Sequence, residues 1–192
     1  MPTATHAASG VALRDGSTVR VRPVAATDVA QLRALLASLS SQSLWLRFYT
    51  TDVNLDLRAR AAATRGFGVV ATAGTPERIV GHAGFVETGP GTAEIAFEVA
   101  TEWQGLGVGT ILLAHLAGLA PAAGIHTFTA VVHPTNHRMA HLLQASGIPL
   151  EVTAWPGQLL FELRPESGPF ERVGKYGSGR RPAPDRVRPA AA

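Results

Sequence analysis

The chain has 192 residues, of which 46% are hydrophobic and 16% charged, with a formal net charge of +3 and no cysteine. That length suits one well-buried domain, and the composition excludes a disordered chain. Disulfide frameworks, thiolate metal sites and cysteine nucleophiles are excluded, and no apolar run approaches the roughly 18 residues that a membrane-crossing helix needs.

Residues 1–10 lack a basic segment followed by an apolar core, so no signal peptide is predicted there; a flexible N-terminus and a cytoplasmic location are expected. Val19 and Val21 alternate with polar residues before Pro23, which predicts a strand over Thr18–Arg22. Thr27 is the expected N-cap of a helix in which Val29, Leu32, Leu35, Leu36 and Leu39 recur at helical spacing. Ser40–Phe48 reads as a second short helix, and Asn54 as the cap of a third that runs to Ala63. Three β-rich stretches follow, Phe67–Ala73, Arg78–Glu87 and Ala93–Ala100. Gly74-Thr75-Pro76 and Gly89-Pro90-Gly91 separate them, which suits antiparallel hairpins.

A helix is then predicted over Gly107–Leu119, stopped by Pro121, and a strand over Thr127–Val132. Thr135 is the expected cap of a last helix carrying Met139, Leu142 and Leu143 and closing at Gly147, before two strands around Val152–Trp155 and Leu159–Leu163. This order predicts an α+β, or mixed α/β, domain over residues 11–163. The remainder, 164–192, mixes Pro, Gly, Arg and Ala without period and is expected to be a disordered tail. It carries seven basic and three acidic residues, which leaves the rest of the chain at −1. Nucleic-acid or membrane binding would therefore rest on the tail alone, and neither is expected.

The segment richest in chemistry is Ala93-Glu94-Ile95-Ala96-Phe97-Glu98-Val99-Ala100-Thr101-Glu102-Trp103-Gln104-Gly105-Leu106-Gly107-Val108-Gly109-Thr110, which runs strand, glycine loop, helix. Three glycines at alternate positions leave backbone N–H groups and a helix N-terminus aimed at one spot, a phosphate-binding arrangement. A Walker A loop would need Lys before the Ser/Thr, and a dinucleotide fingerprint would need G-x-G-x-x-G in a parallel βαβ unit. Neither fits. Gln104-x-x-Gly107-x-Gly109 instead resembles the Q/R-x-x-G-x-G/A signature of the GNAT acetyltransferase superfamily, and the resemblance covers the order of elements from about Leu13 to Leu163.

That resemblance implies a GNAT fold: a mostly antiparallel, twisted sheet of six to seven strands flanked by about four helices, splayed at a cofactor cleft. It implies acetyl-CoA as co-substrate and no metal. Gln104, Gly105, Leu106, Gly107, Val108, Gly109 and Thr110 would meet the pyrophosphate, backbone groups of Phe97, Glu98 and Val99 the pantetheine arm. Asn136 and Met139 match an N-x-x-M pattern at the same arm, although Asn136 also reads as a simple helix-start residue. Leu13-Arg14-Asp15-Gly16, Val21-Arg22-Pro23 and Ser40-x-x-Ser43-x-x-x-Arg47-Phe48 resemble the start of acyltransferase domains in bacterial protein lysine acetyltransferases.

Acetyl transfer to an amine calls for a proton acceptor, and Glu94, Ala96 and Glu98 share one strand face. The family resemblance favours Glu94 as the base, with Glu98 as a second candidate and a backbone N–H near Glu98 for the oxyanion. A tyrosine acid after the last helix is missing, since the tyrosines are Tyr49 and Tyr176, and Leu106 stands where many relatives carry a basic loop residue. His133, His137 and His141 are spaced by four, but no carboxylate completes a ligand set, so no metal is expected. Trp45, Phe48 and Tyr49 either line the acceptor groove or pack in the core. The expected acceptor is a protein lysine, with a small-molecule amine as the alternative and a non-catalytic acyl-CoA-binding module as the competing class. Monomer and homodimer both remain open.

Overall fold

The alternation around Val19 does build a strand in the computed structural model, which describes residues 10–64, 67–165 and 188–189. The chain runs β1 (Gly10–Ala12), β2 (Thr18–Pro23), α1 (Val29–Ala37), α2 (Ser41–Phe48), α3 (Leu55–Thr64), β3 (Phe67–Ala73), β4 (Arg78–Gly89), β5 (Thr92–Val99), α4 (Val108–Leu119), β6 (Thr127–Val132), α5 (His137–Gln144), β7 (Leu150–Trp155), β8 (Gln158–Leu163) and the two-residue β9 (Arg188–Pro189). All strands join one sheet in the order β1-β2-β3-β4-β5-β6-β8-β7-β9. It is antiparallel except where β5 meets β6 and β7 meets β9. The sheet is larger than the six to seven strands expected because β1 has three residues and β9 two, too short to show a period; five helices flank it where about four were expected. The expectations for residues 1–9 and for 166–187 and 190–192 of the tail lie outside the described residues.

The sheet is covered on both faces, which is why β3 and β4 read as nearly continuous small and apolar residues rather than alternating ones. On one face α4 and α5 press Leu112, Leu116 and Leu143 against Val69, Phe85, Phe128 and Phe161. On the other, α1 and α3 set Leu32, Leu35, Leu36, Ala59 and Ala63 against Val70 and Ile79. Burying each of these leucines contributes about 1.5–3 kcal/mol, so the two helical layers hold the sheet in a fixed geometry.

Local signals fix most helix starts. Ser40 caps α2 by accepting the Ser43 N–H at 3.1 Å, and Asn54 caps α3 through the Leu57 N–H at 2.9 Å. Two caps differ from expectation. Thr27 is not the cap of α1: a 3-10 turn, Ala26–Asp28, precedes it, and the Asp28 carboxylate reaches back to the Ala25 N–H at 2.8 Å. Asp28 is drawn there by Arg22 on β2, which grips it at 2.7 and 2.8 Å and, as the largest influence, holds its carboxyl below the usual range. Nor does Thr135 cap α5, because its hydroxyl bonds His133 Nδ1 at 2.8 Å; Asn136 takes the role, accepting the Met139 N–H at 3.2 Å.

One irregularity positions everything that follows. β5 and β6 pair at only three positions, Thr92↔Thr127, Ala93↔Phe128 and Glu94↔Thr129, after which β6 continues alongside β8. Beyond Glu94 the edge of β5 that faces β6 opens into a cleft.

Candidate active site

The loop that enters α4 closes the wide end of this cleft. Gly105 and Gly107 have φ of 79° and 105°, a left-handed backbone that a side chain would strain. At Gly109 a Cβ would lie 2.4 Å from Leu142 Cδ1, the end of a flexible side chain on α5 that would have to shift to admit it. Val108 is buried in the core and Thr110 is half-buried, leaving their backbones at the start of α4. The N–H groups of this first turn have no intrahelical acceptors, and with the positive end of the helix they form an anion-binding site. Leu106 packs against the main core, and its carbonyl accepts the Arg14 N–H at 3.2 Å.

Gln104 ties the loop to the strand by donating from Nε2 to the Val99 carbonyl at 2.9 Å. Its Oε1 accepts a hydrogen bond from Arg138 on α5. A cation therefore stands at the loop although position 106 is a leucine.

The backbone of β5 alternates its groups between the two edges. The Ala100 N–H bonds the Val80 carbonyl at 2.9 Å, so in the continuous β4–β5 register Glu98 also turns its backbone toward β4, while Phe97 and Val99 turn theirs to the cleft. This corrects the expectation for Glu98, whose backbone faces the wrong edge to hold a cofactor arm. Across the cleft, Asn136 spends its side-chain carbonyl on the α5 cap and Met139 packs against the main core.

On the helical face opposite α4, the same register sets Glu94 beside Val86, Ala96 beside Gly84 and Glu98 beside His82. These six residues line a groove of about 310 Å³ whose apolar wall includes Leu32, Leu35, Leu36 and Phe48. Glu94 is exposed to it. Glu98 is buried, with Oε1 2.7 Å from Arg47 Nε and Oε2 2.7 Å from His82 Nδ1. Burial alone pushes the Glu98 carboxyl upward and is the largest single influence, yet the charge of Arg47 and the hydrogen bonds and charge of His82 outweigh it together and hold the group at about 2. Both oxygens are engaged and the affinity for a proton is low, so Glu98 is unsuited to the part of base that the strand pattern offered it.

Of the three aromatic candidates only Phe48 lines the groove, under the guanidinium groups of Arg47 and Arg58 at 4.7 and 5.0 Å from its centroid. Trp45 leans edge-on against His133 at 4.9 Å and against Tyr49 at 6.0 Å, joining α2 to the end of β6. Among the described residues, no cluster of three or more His, Cys, Asp or Glu is placed to hold a metal ion, and no helix is long and apolar enough to cross a membrane. Tyr176 lies outside the described residues.

Sequence reasoning missed His82, the role of Arg47 and the position of Arg138. The Gly89-Pro90-Gly91 turn gave a clue to the first, because counting outward from it pairs Glu98 with a residue near position 82. Symmetry about Pro90 pairs Ala93 with Glu87 and Glu98 with His82, as the structure does, and the register departs from it only at Gly89↔Thr92 beside the turn.

Residues 33–148 match the model of the acetyltransferase (GNAT) family. Over 143 residues, 71% of this chain, the sequence is 29% identical to the acetyltransferase Pat of Mycolicibacterium smegmatis, and the match spans 43% of that protein's length. The GNAT domain of S. lividans PAT has a TM-score of 0.74 at 27% identity, covering 85% of this chain and 99% of that one. A cAMP-binding acyltransferase from Mycobacterium smegmatis shares the fold at a TM-score of 0.58 and 23% identity, covering 88% of this chain and 49% of the other.

Proposed function

The chain belongs to the GNAT acetyltransferase family, and from that premise we propose that residues 11–163 transfer an acetyl group from acetyl-CoA to a primary amine, the side chain of a protein lysine. The observation that carries this reading is the meeting of the two openings. The β5–β6 cleft begins where Glu94 stands, and Glu94 also faces the groove on the α1–α3 side. A donor lying in the cleft and an amine in the groove would meet on opposite sides of β5's open edge.

The residues fit acetyl-CoA. The first turn of α4, with Gly105, Gly107 and Gly109 clear of side chains, suits a pyrophosphate, and the cleft-facing backbone of Phe97 with the N–H of Val99, whose carbonyl Gln104 occupies, suits an amide-bearing arm. The side-chain NH₂ of Asn136 is available on the other wall. Bound there, acetyl-CoA supplies the acyl thioester; the chain supplies position and proton transfer. A lysine amine with a pKa of about 10.4 costs about 4.6 kcal/mol to neutralise at pH 7. Glu94 takes that proton directly or through one water. An N–H of Phe97 or Val99 meets the carbonyl oxygen as it gains charge. The groove's leucines and Phe48 accommodate an aliphatic stem, and Glu94 attracts the ammonium at its end. The test is acetylation of lysine-bearing proteins read by intact mass, with free thiol released in equal amount. Thiol release only with small amines would move the acceptor to that class, and none with any amine would reject transfer.

Arg138 is expected to supply the charge that Leu106 does not. Arg138→Ala should weaken acetyl-CoA binding about tenfold, the effect of losing one charge-assisted contact. Leu106→Arg in the same background should recover most of it. Calorimetric titration reads both changes without an acceptor.

A further inference from the structure

Helix α3 buries Ala59 and Ala63 against the sheet and lines the groove with Arg58, Ala61 and Ala62. These three fall at i, i+3 and i+4, one face of the helix, and the two alanines leave Arg58 without a bulky neighbour along that wall. Its guanidinium carbon lies 5.0 Å from the centroid of Phe48, and that of Arg47 lies 4.7 Å from the same ring. A guanidinium held over a ring face is attracted by the ring's quadrupole, and with five N–H donors it keeps some free for a carboxylate.

The two arginines differ in what else they hold. Arg47 bonds Glu98 at 2.7 Å, and the other Glu98 oxygen is taken by His82. Arg58 is exposed and has no ion pair among the described residues, because Asp56, two positions before it, bonds Arg33 at 2.9 Å instead. Glu94 is also exposed and unpaired, and the two do not reach one another. Arg47 and Glu98 therefore compensate each other inside the wall, and an occupant of the groove meets one anion, Glu94, and one cation, Arg58. Because Arg47 reaches both Glu98 and the Phe48 ring, Arg58 stands toward the Glu98 end. Glu94 and Glu98 are four strand positions apart, roughly 13 Å.

An acceptor with an ammonium alone would answer Glu94 and leave Arg58 to water, and a second cation near Arg58 would be repelled. A carboxylate set off from the ammonium by that span answers both charges. The span is longer than one lysine side chain, so the carboxylate belongs to another residue of the acceptor. We propose that Arg58 binds an acidic side chain of the acceptor protein, carried within about four residues of the acetylated lysine, with Phe48 holding the guanidinium in place. The assignment rests on the amine-acetylation reading above and names its substrate class.

The test is turnover by the full chain, at saturating acetyl-CoA, of capped Gly-Ala-Ser peptides with one central lysine and a single Glu, or its neutral counterpart Gln, scanned across that span. At one position or more, Glu should raise kcat/KM about tenfold over Gln, mainly through KM, and the preference should shrink with added salt. Arg58→Ala should make the two peptides alike, and Arg58→Glu should turn the preference toward Arg at the same position. A native protein indifferent to Glu, or a preference that survives in Arg58→Ala, would overturn the assignment while leaving lysine acetylation intact. Preference for Nα-acetyl-lysine over its amide, with none for any Glu peptide, would overturn it in favour of a small amino acid. No thiol release with any amine would overturn the amine reading and the assignment with it.

Discussion

Glu94→Gln is expected to lower kcat about 10²–10⁴-fold while leaving the affinity for acetyl-CoA unchanged. The amide is nearly isosteric and keeps a hydrogen-bonding oxygen, but it cannot take a proton. Glu94 is exposed to the groove, with no ion pair that its loss would break among the described residues, so the folded state should be unaffected. The loss should shrink as pH rises toward the amine's own pKa, because more of the acceptor then arrives neutral. Steady-state rates from pH 7 to 10, with acetyl-CoA titrations alongside, separate this from a binding defect. A non-catalytic acyl-CoA-binding module would show no turnover to lose.

Glu98→Ala should instead act on stability, by about 3–5 kcal/mol, because it strands Arg47 and His82 beside a buried void. The same cluster sets a pH dependence whose direction follows from the depressed pKa. Glu98 titrates near 4.5 when unfolded and at about 2 when folded, so its contribution is fully present above pH 4.5 and is lost as the pH falls through 2. That interval corresponds to roughly 3 kcal/mol. Urea denaturation at pH 7 and at steps down to pH 2 should show the loss in the native sequence and a flatter curve in Glu98→Gln. The remaining slope would come from carboxyls such as Asp28, which Arg22 also depresses. A Glu98→Ala protein as stable as the native one would show that the cluster contributes nothing net.

These two carboxylates also show where sequence reasoning succeeds and where it stops. Strand alternation places Glu94, Ala96 and Glu98 on one face, and the structure agrees, because period two is a local property of the backbone. Their different chemistry is not local. It depends on Arg47, 51 residues away, and on His82, on the other arm of the β4–β5 hairpin. α1, α4 and α5 are legible from the spacing of their apolar residues, α3 from its Asn54 cap, and the loop from Gly105, Gly107 and Gly109. Even so, the neighbour of Gly109 is Leu142 on α5, a contact between two helices that the spacing of glycines does not reveal. The caps of α1 and α5 were missed for a similar reason: the hydroxyl of Thr135 bonds His133, and Asp28 answers to an arginine on β2. Backbone direction was missed too, since alternation of side chains says nothing about which edge an N–H faces until one ladder bond is known.

The claim on which the account turns is that acetyl-CoA lies in the β5–β6 cleft with its pyrophosphate on the loop before α4. The most direct measurement is calorimetric titration of the full chain with acetyl-CoA, beside Gly107→Asp shown to be folded by circular dichroism. The substitution puts a negative charge at the anion site and a side chain at a backbone φ of 105°. Saturable one-to-one binding by the native protein, abolished in Gly107→Asp, is the predicted result; no binding by the native protein, or equal binding by both, would contradict it.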